Sequence, residues 1–117
     1  MAGGISVHAV DVSHGRPAQG MRVDVYSLAG VRKLIASGKL ASNGLMSHPI
    51  THGDGVTAGT YEVVFHLGDY LKSVGAPVTT PPFLDTVPFR FTIADAEQHY
   101  HLPLKFTPWG FSLFRGS

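Results

Sequence analysis

The side chains best suited to chemistry lie near the end of the chain, in His99-Tyr100-His101-Leu102-Pro103-Leu104-Lys105. In extended backbone, residues two apart share a face. His99, His101, Pro103 and Lys105 therefore stand together on one face of a strand. A Pro108-Trp109-Gly110 turn follows, and the alternation resumes beyond it, which is a hairpin signal. Ser112 and Phe114 share a face of that second strand. A further imidazole, His8, falls in mid-strand near the start of the chain. Neutral imidazole is the commonest general base near pH 7. The same three histidines, His-x-His plus a third from elsewhere, also fit a zinc pattern. The plainest alternative is that each is a hydrogen-bonded or solvent-facing strand residue. His14, His48, His52 and His66 read as surface or loop residues. His48-x-x-x-His52 would form a ligand pair only on a helix, and Pro49 argues against one. The ending, Arg115-Gly116-Ser117, sets a guanidinium beside a carboxylate and reads as a segment folded against something rather than a frayed tail.

These residues need strands to hold them. Ile5 to Val12 alternates, with Ile5, Val7 and Ala9 on one face and Ser6, His8 and Val10 on the other. Ser13 to Pro17 is a turn. Met21, Val23 and Val25 alternate with Arg22, Asp24 and Tyr26. Val31 to Leu40 is a weaker strand. Asn43-Gly44 marks a turn, because this pair readily takes positive φ, and a short strand is expected from Leu45 to His48. Pro49 to Ala58 reads as a loop. Gly59 to His66 is a strand with Tyr61, Val63 and Phe65 toward the core. Asp69 to Val74 reads as a short helix stopped by Gly75. Three prolines between Pro77 and Pro82 exclude a central strand. Val87, Phe89, Phe91 and Ile93 alternate with Pro88, Arg90 and Thr92. About eight short strands with frequent turns predict an all-β sandwich or barrel.

Composition narrows the function. A length of 117 residues fits one domain spanning 1–117, large enough to bury about two-thirds of its unfolded surface. Charged residues make up only 15%, which points to surface covered by self-association. The net charge of +1 with no basic block gives nucleic-acid binding little support. With no cysteine, disulfides, thiolate chemistry and cysteine-based metal sites are excluded. No long apolar run predicts a membrane span, and the start of the chain has no secretory-signal pattern. The expected location is the cytoplasm. Phosphate cradles and a Gly-x-Ser-x-Gly elbow are absent, and the few carboxylates form no evident pair.

The sequence resembles the transthyretin-like family, and within it the 5-hydroxyisourate hydrolases of urate breakdown. Nearly the whole chain takes part: Ile5-Ser6-Val7-His8-Ala9-Val10-Asp11-Val12-Ser13-His14-Gly15-Arg16-Pro17-Ala18-Gln19-Gly20, then Ala58-Gly59-Thr60-Tyr61-Glu62-Val63-Val64-Phe65, then His99-Tyr100-His101-Leu102-Pro103-Leu104 and Phe114-Arg115-Gly116-Ser117. The resemblance implies an eight-stranded β-sandwich with one short helix. It also implies a homotetramer, a dimer of dimers with sites at subunit interfaces along a central channel. Carried over, the catalytic positions are His8 and His101, and the substrate-binding ones include Leu45, Arg115, Ser117 and Phe114. Ser112 and Lys105 join them because they share the implied face. No cofactor and no metal are implied; the partner is an oxidised purine. Water would be activated by one histidine, and a proton given to the leaving nitrogen, as the six-membered ring opens to a carboxy-ureidoimidazoline.

Two positions depart from the family pattern. Leu45 stands where the enzymes have Arg, and Phe114 where their closing tetrapeptide has Tyr. Both changes remove hydrogen-bond donors. A site built to pair a polar group discriminates by about 10⁴-fold or more, so an aliphatic replacement favours a less polar ring such as an N-methylated 5-hydroxyisourate. Lys105 is an alternative source of the missing charge. Loss of turnover, leaving a small-molecule-binding channel, is a third reading.

Overall fold

The computed structural model describes residues 3–116. Two four-stranded sheets pack face to face. The strands are β1 (Gly4–Asp11), β2 (Arg16–Pro17), β3 (Arg22–Ser27), β4 (Lys33–Lys39), β5 (Gly59–Phe65), β6 (Val87–Ile93), β7 (His99–Thr107) and β8 (Gly110–Leu113), with one helix, α1 (Leu67–Ser73). The first sheet has the order β2-β1-β7-β8 and the second β4-β3-β5-β6. All neighbours are antiparallel except β1 and β7, which run parallel with Ser6 opposite His101 and His8 opposite Pro103.

The period-two pattern supplies the core. Ile5, Val7 and Ala9 of β1 and Leu102, Leu104 and Phe106 of β7 are buried from one side; Val23, Val25, Tyr61, Val63 and Phe65 meet them from the other. Each fully buried aromatic or branched side chain contributes about 2 kcal/mol of transfer free energy. The alternation therefore places Ser6, His8, His99, His101 and Lys105 on the outer face of the first sheet.

Three local expectations are corrected. Ser13 to Pro17 is not wholly a turn: Arg16 and Pro17 pair with Asp11 and Val10 as an edge strand, a place where proline's missing N–H costs no ladder bond. The strand expected from Leu45 to His48 is reduced to a single bridge between Leu45 and His8. Its end is cut short by a 3₁₀ turn over Pro49–His52. His48 caps that turn, its Nδ1 accepting from Ile50 N–H at 3.0 Å. Pro49 thus starts a short helical turn, because at the first position its fixed φ helps and its absent donor is not needed. Finally, α1 begins two residues before the predicted Asp69, with Leu67 and Gly68 buried in its first turn.

Candidate active site on the outer face of the first sheet

β1 and β7 bring the predicted histidines together. The His8 and His101 rings are stacked, with centroids 6.4 Å apart and planes 28° from parallel. Ser6 Oγ stands 2.7 Å from His101 Nδ1 and 2.7 Å from His99 Nε2. His99 Nδ1 in turn donates to the Gly3 carbonyl at 3.1 Å. His8 Nε2 donates to the Asn43 carbonyl at 2.8 Å, so in its neutral form Nδ1 keeps the lone pair. Burial first, then the neighbouring charges of His8 and His99, push the His101 imidazole below its ordinary value. Among the described residues no carboxylate bonds to any of these three rings, and the lowered His101 is neutral around pH 7.

Two glycines make this arrangement possible. Gly44 has φ +81°, and a Cβ there would lie 2.8 Å from the Ala9 carbonyl and 2.9 Å from the His8 ring. The Asn43-Gly44 turn can close onto His8 only without a side chain at position 44. Gly116 N–H donates to the His101 carbonyl at 2.7 Å, and a Cβ on Gly116 would sit 3.1 Å from the His101 ring. The end of the chain is thus laid along β7, as its composition predicts.

The other predicted site residues are spread more widely. Leu45 bridges to His8 and is 38% exposed, so an aliphatic side chain stands on the histidine face. Lys105 lies four residues beyond His101, about 13 Å along the strand. It pairs across the hairpin with Ser112, and its ammonium is 6.0 Å from the Phe114 ring centroid. Lys105, Ser112 and Phe114 thus form a second group at the far end of the same face. The Arg115 guanidinium points elsewhere: it stacks 4.0 Å from the Tyr100 ring centroid and donates to Gln98 Oε1 and the His99 carbonyl. Tyr100 faces inward, so Arg115 is on the opposite side of β7 from His101. Ser117 lies outside the described residues.

The sequence pattern puts Ser6 on the His8 face but gives no reason to single it out. Its importance follows from the parallel pairing that sets it between two imidazoles. Gly44 reads as a simple turn residue, and its close approach to His8 is visible only in three dimensions. Ser6 Oγ separates His99 from His101, and among the described residues no three His, Asp or Glu side chains are grouped as metal ligands. A cavity of about 600 Å³ is lined by Asn43, Leu45, Met46, His48 and His52 among others. It borders the histidine pair without including it; the pair itself lies on an open sheet face.

Comparison with known proteins places this geometry. A family model described as "HIUase/Transthyretin family" matches residues 5–116. The chain is 46% identical to 5-hydroxyisourate hydrolase 2 of Rhizobium meliloti over 99% of its own length and 98% of that protein's. It is 40% identical to the 5-hydroxyisourate hydrolase of Deinococcus radiodurans, covering 97% and 96% of the two chains. Among solved structures, (S)-allantoin synthase superposes with a TM-score of 0.90 at 37% identity, covering 99% of this chain and 44% of that one. Klebsiella pneumoniae 5-hydroxyisourate hydrolase gives 0.81 at 25% identity, covering 98% and 99%. No helix among the described residues is long and apolar enough to cross a membrane.

Proposed function

The chain belongs to the HIUase/transthyretin family, and from that premise we propose that it is a cyclic amide hydrolase opening the ring of 5-hydroxyisourate or of an N-methylated form. The observation that carries this reading is His101: an imidazole kept neutral, stacked on a second imidazole, and bonded to no carboxylate among the described residues. That is the condition a general base needs near neutral pH.

The reaction follows. Water in front of His101 gives up a proton to the imidazole as its oxygen bonds to the ring carbonyl carbon. The tetrahedral intermediate collapses, the C–N bond breaks, and the nitrogen regains a proton from the histidine pair. The product is a ring-opened carboxylate, and no cofactor enters the balance. His8 supplies the second imidazole. The oxyanion has no guanidinium at position 45 to receive it, and in one chain Lys105 is engaged near Phe114 rather than at His101.

This open face is where a second copy would complete the site. Leu45 and Phe114 are exposed large apolar residues on this face, and Trp109 is exposed in the turn beside it, more than a solitary sandwich of low charge normally leaves to water. We read the protein as a homotetramer, a dimer of dimers in the cytoplasm, acting in urate breakdown. Lys105, Ser112, Phe114, Arg115 and Ser117 would reach the substrate from one copy or its neighbour.

The test is ultraviolet decay of freshly generated 5-hydroxyisourate, run in parallel with its trimethyl analogue, on the parent and Leu45→Arg. Faster decay of the unmethylated compound supports the family activity. Acceleration of only the methylated one assigns Leu45 to a changed specificity, which Leu45→Arg should then reverse. If neither compound decays faster than in buffer, the hydrolase reading fails in favour of a ligand-holding channel.

A further inference from the structure

Resting on the reading of His101 as a base, we propose that Ser6 and His99 form a proton relay behind it: they fix which His101 nitrogen is bare, and they carry the accepted proton out to His99. The direction of the chain of hydrogen bonds is set at its far end. The Gly3 carbonyl can only accept, so His99 Nδ1, 3.1 Å away, carries a hydrogen. A neutral His99 therefore has its lone pair on Nε2. Ser6 Oγ, 2.7 Å from that nitrogen, donates its single proton to it. Having spent that proton, Ser6 can only accept at its other contact, His101 Nδ1 at 2.7 Å. His101 is then the Nδ1–H tautomer, and its Nε2 is the bare nitrogen, available to water. A backbone carbonyl at the start of the chain thereby dictates the tautomer of a ring near its end.

The same chain moves charge. When His101 Nε2 takes a proton from water, His101 Nδ1 passes its own proton to Ser6 Oγ, and Ser6 passes its hydroxyl proton to His99 Nε2. His101 and Ser6 finish neutral, and the positive charge rests on His99. His99 is exposed, whereas His101 is half-buried beside His8. An imidazolium costs less where water solvates it, so the transfer runs outward. His101 is left as the neutral Nε2–H tautomer, which is the acid required by the leaving nitrogen. Protonation of that nitrogen runs the relay backwards and restores the resting state. Among the described residues the other titratable groups on this face are His8, on β1, and Lys105, further along β7; neither touches the relay's nitrogens.

Imidazole 15N shifts of the parent, Ser6→Ala, Ser6→Thr and His99→Gln, measured together with solvent isotope effects on kcat, test this. The parent should show His101 protonated on Nδ1 and bare on Nε2. Ser6→Ala should lose that preference and lower kcat by more than about tenfold, short of the roughly 10⁴-fold that a wrong tautomer costs a Ser-His-Asp triad, with KM little changed. Ser6→Thr, which keeps the hydroxyl, should restore both. His99→Gln keeps an acceptor for Ser6 and so the tautomer, but cannot hold the proton. Its kcat should fall, and the curved proton inventory of the parent should become linear. A resting His101 protonated on Nε2, or a Ser6→Ala variant with parental kcat and tautomer, would overturn the relay. The spectra do not depend on turnover: an inactive parent with the Nδ1–H tautomer, lost in Ser6→Ala, would sink the hydrolase reading while upholding the wiring.

Discussion

The two sheets carry polar side chains on their outer faces in opposite ways. On the second sheet the carboxylates Asp24 and Glu62 each have counter-charges. Asp24 accepts from Ser37 Oγ at 2.6 Å, from His66 Nε2 at 2.9 Å and from Arg22 Nε at 3.3 Å. Glu62 lies between Arg32 and Arg90 at 3.0 and 3.5 Å. Burial pushes the Asp24 carboxyl up, but those hydrogen bonds and the Arg22 charge outweigh it and hold it below the usual carboxylate range. On the first sheet three imidazoles meet a hydroxyl and two backbone carbonyls, with no carboxylate among their partners in the described residues. On the second sheet His66 is tied to the Asp24 carboxylate. A histidine chained to another imidazole keeps a lone pair to spend. The same residue type thus serves stability on one face and, in the proposed mechanism, chemistry on the other.

Breaking the proposed catalytic face should have the largest effect. His101→Ala is expected to lower kcat by about two orders of magnitude or more, the scale of a lost general base, with unchanged urea denaturation. Parental kinetics in that variant would remove His101 from the chemistry. Gly44→Ala attacks the same face through its support. The added Cβ meets both the Ala9 carbonyl and the His8 ring in a left-handed backbone. A loss of about 2 kcal/mol in stability is expected, with a rate loss of about tenfold as His8 shifts; thermal melts and steady-state kinetics read the two separately. Asp24→Asn probes the other face. It should cost about 1–3 kcal/mol by urea denaturation, because the carboxylate is nearly buried and its three donors lose a charged acceptor, while kcat stays within about twofold. A large rate loss there would erase the distinction between the faces.

Acid stability gives the smallest effect and a definite sign. Asp11 and Asp24 are both lowered in the fold: burial raises each carboxyl, and hydrogen bonds from Ser13 and His14, or from Ser37, His66 and Arg22, overcome it. The unfolded chain therefore binds more protons in the acid range. Their stabilisation is present above the ordinary carboxylate value and is lost as pH falls through the folded one. Asp24→Asn should flatten that part of the stability–pH curve.

Alternation alone makes the two faces legible. It assigns Ile5, Val7 and Ala9 inward and Ser6, His8 and Val10 outward, and it sets His99 and His101 on one side of their strand. It does not say which strands are neighbours. β1 and β7 pair across more than ninety residues of sequence, so the Ser6 contacts leave no local trace. The resemblance to known hydrolases identifies His8 and His101 but passes over Ser6, Asn43 and Gly44, whose roles depend on distances rather than residue type. Where local chemistry competes with period two, alternation misleads: Leu45 to His48 looks like a strand, yet the His48 cap on Ile50 ends it after one bridge. Arg115 shows another limit. The terminal motif implies that it orients the site, but does not say that within one chain its guanidinium lies on Tyr100.

The most direct test of the account is the pH dependence of kcat/KM for 5-hydroxyisourate ring opening, corrected for decay in buffer. His101 is lowered by burial and by its imidazole neighbours, so it stays the bare base below the ordinary histidine value of about 6.5. The account predicts a rate that is flat through neutrality and falls only on the acid side of that value, with the fall absent from the residual rate of His101→Ala. A rate that still climbs between about pH 6.5 and 8 would contradict it, as would an acid limb unchanged in His101→Ala: either would mean that the first sheet's outer face does not hold the neutral base its geometry describes.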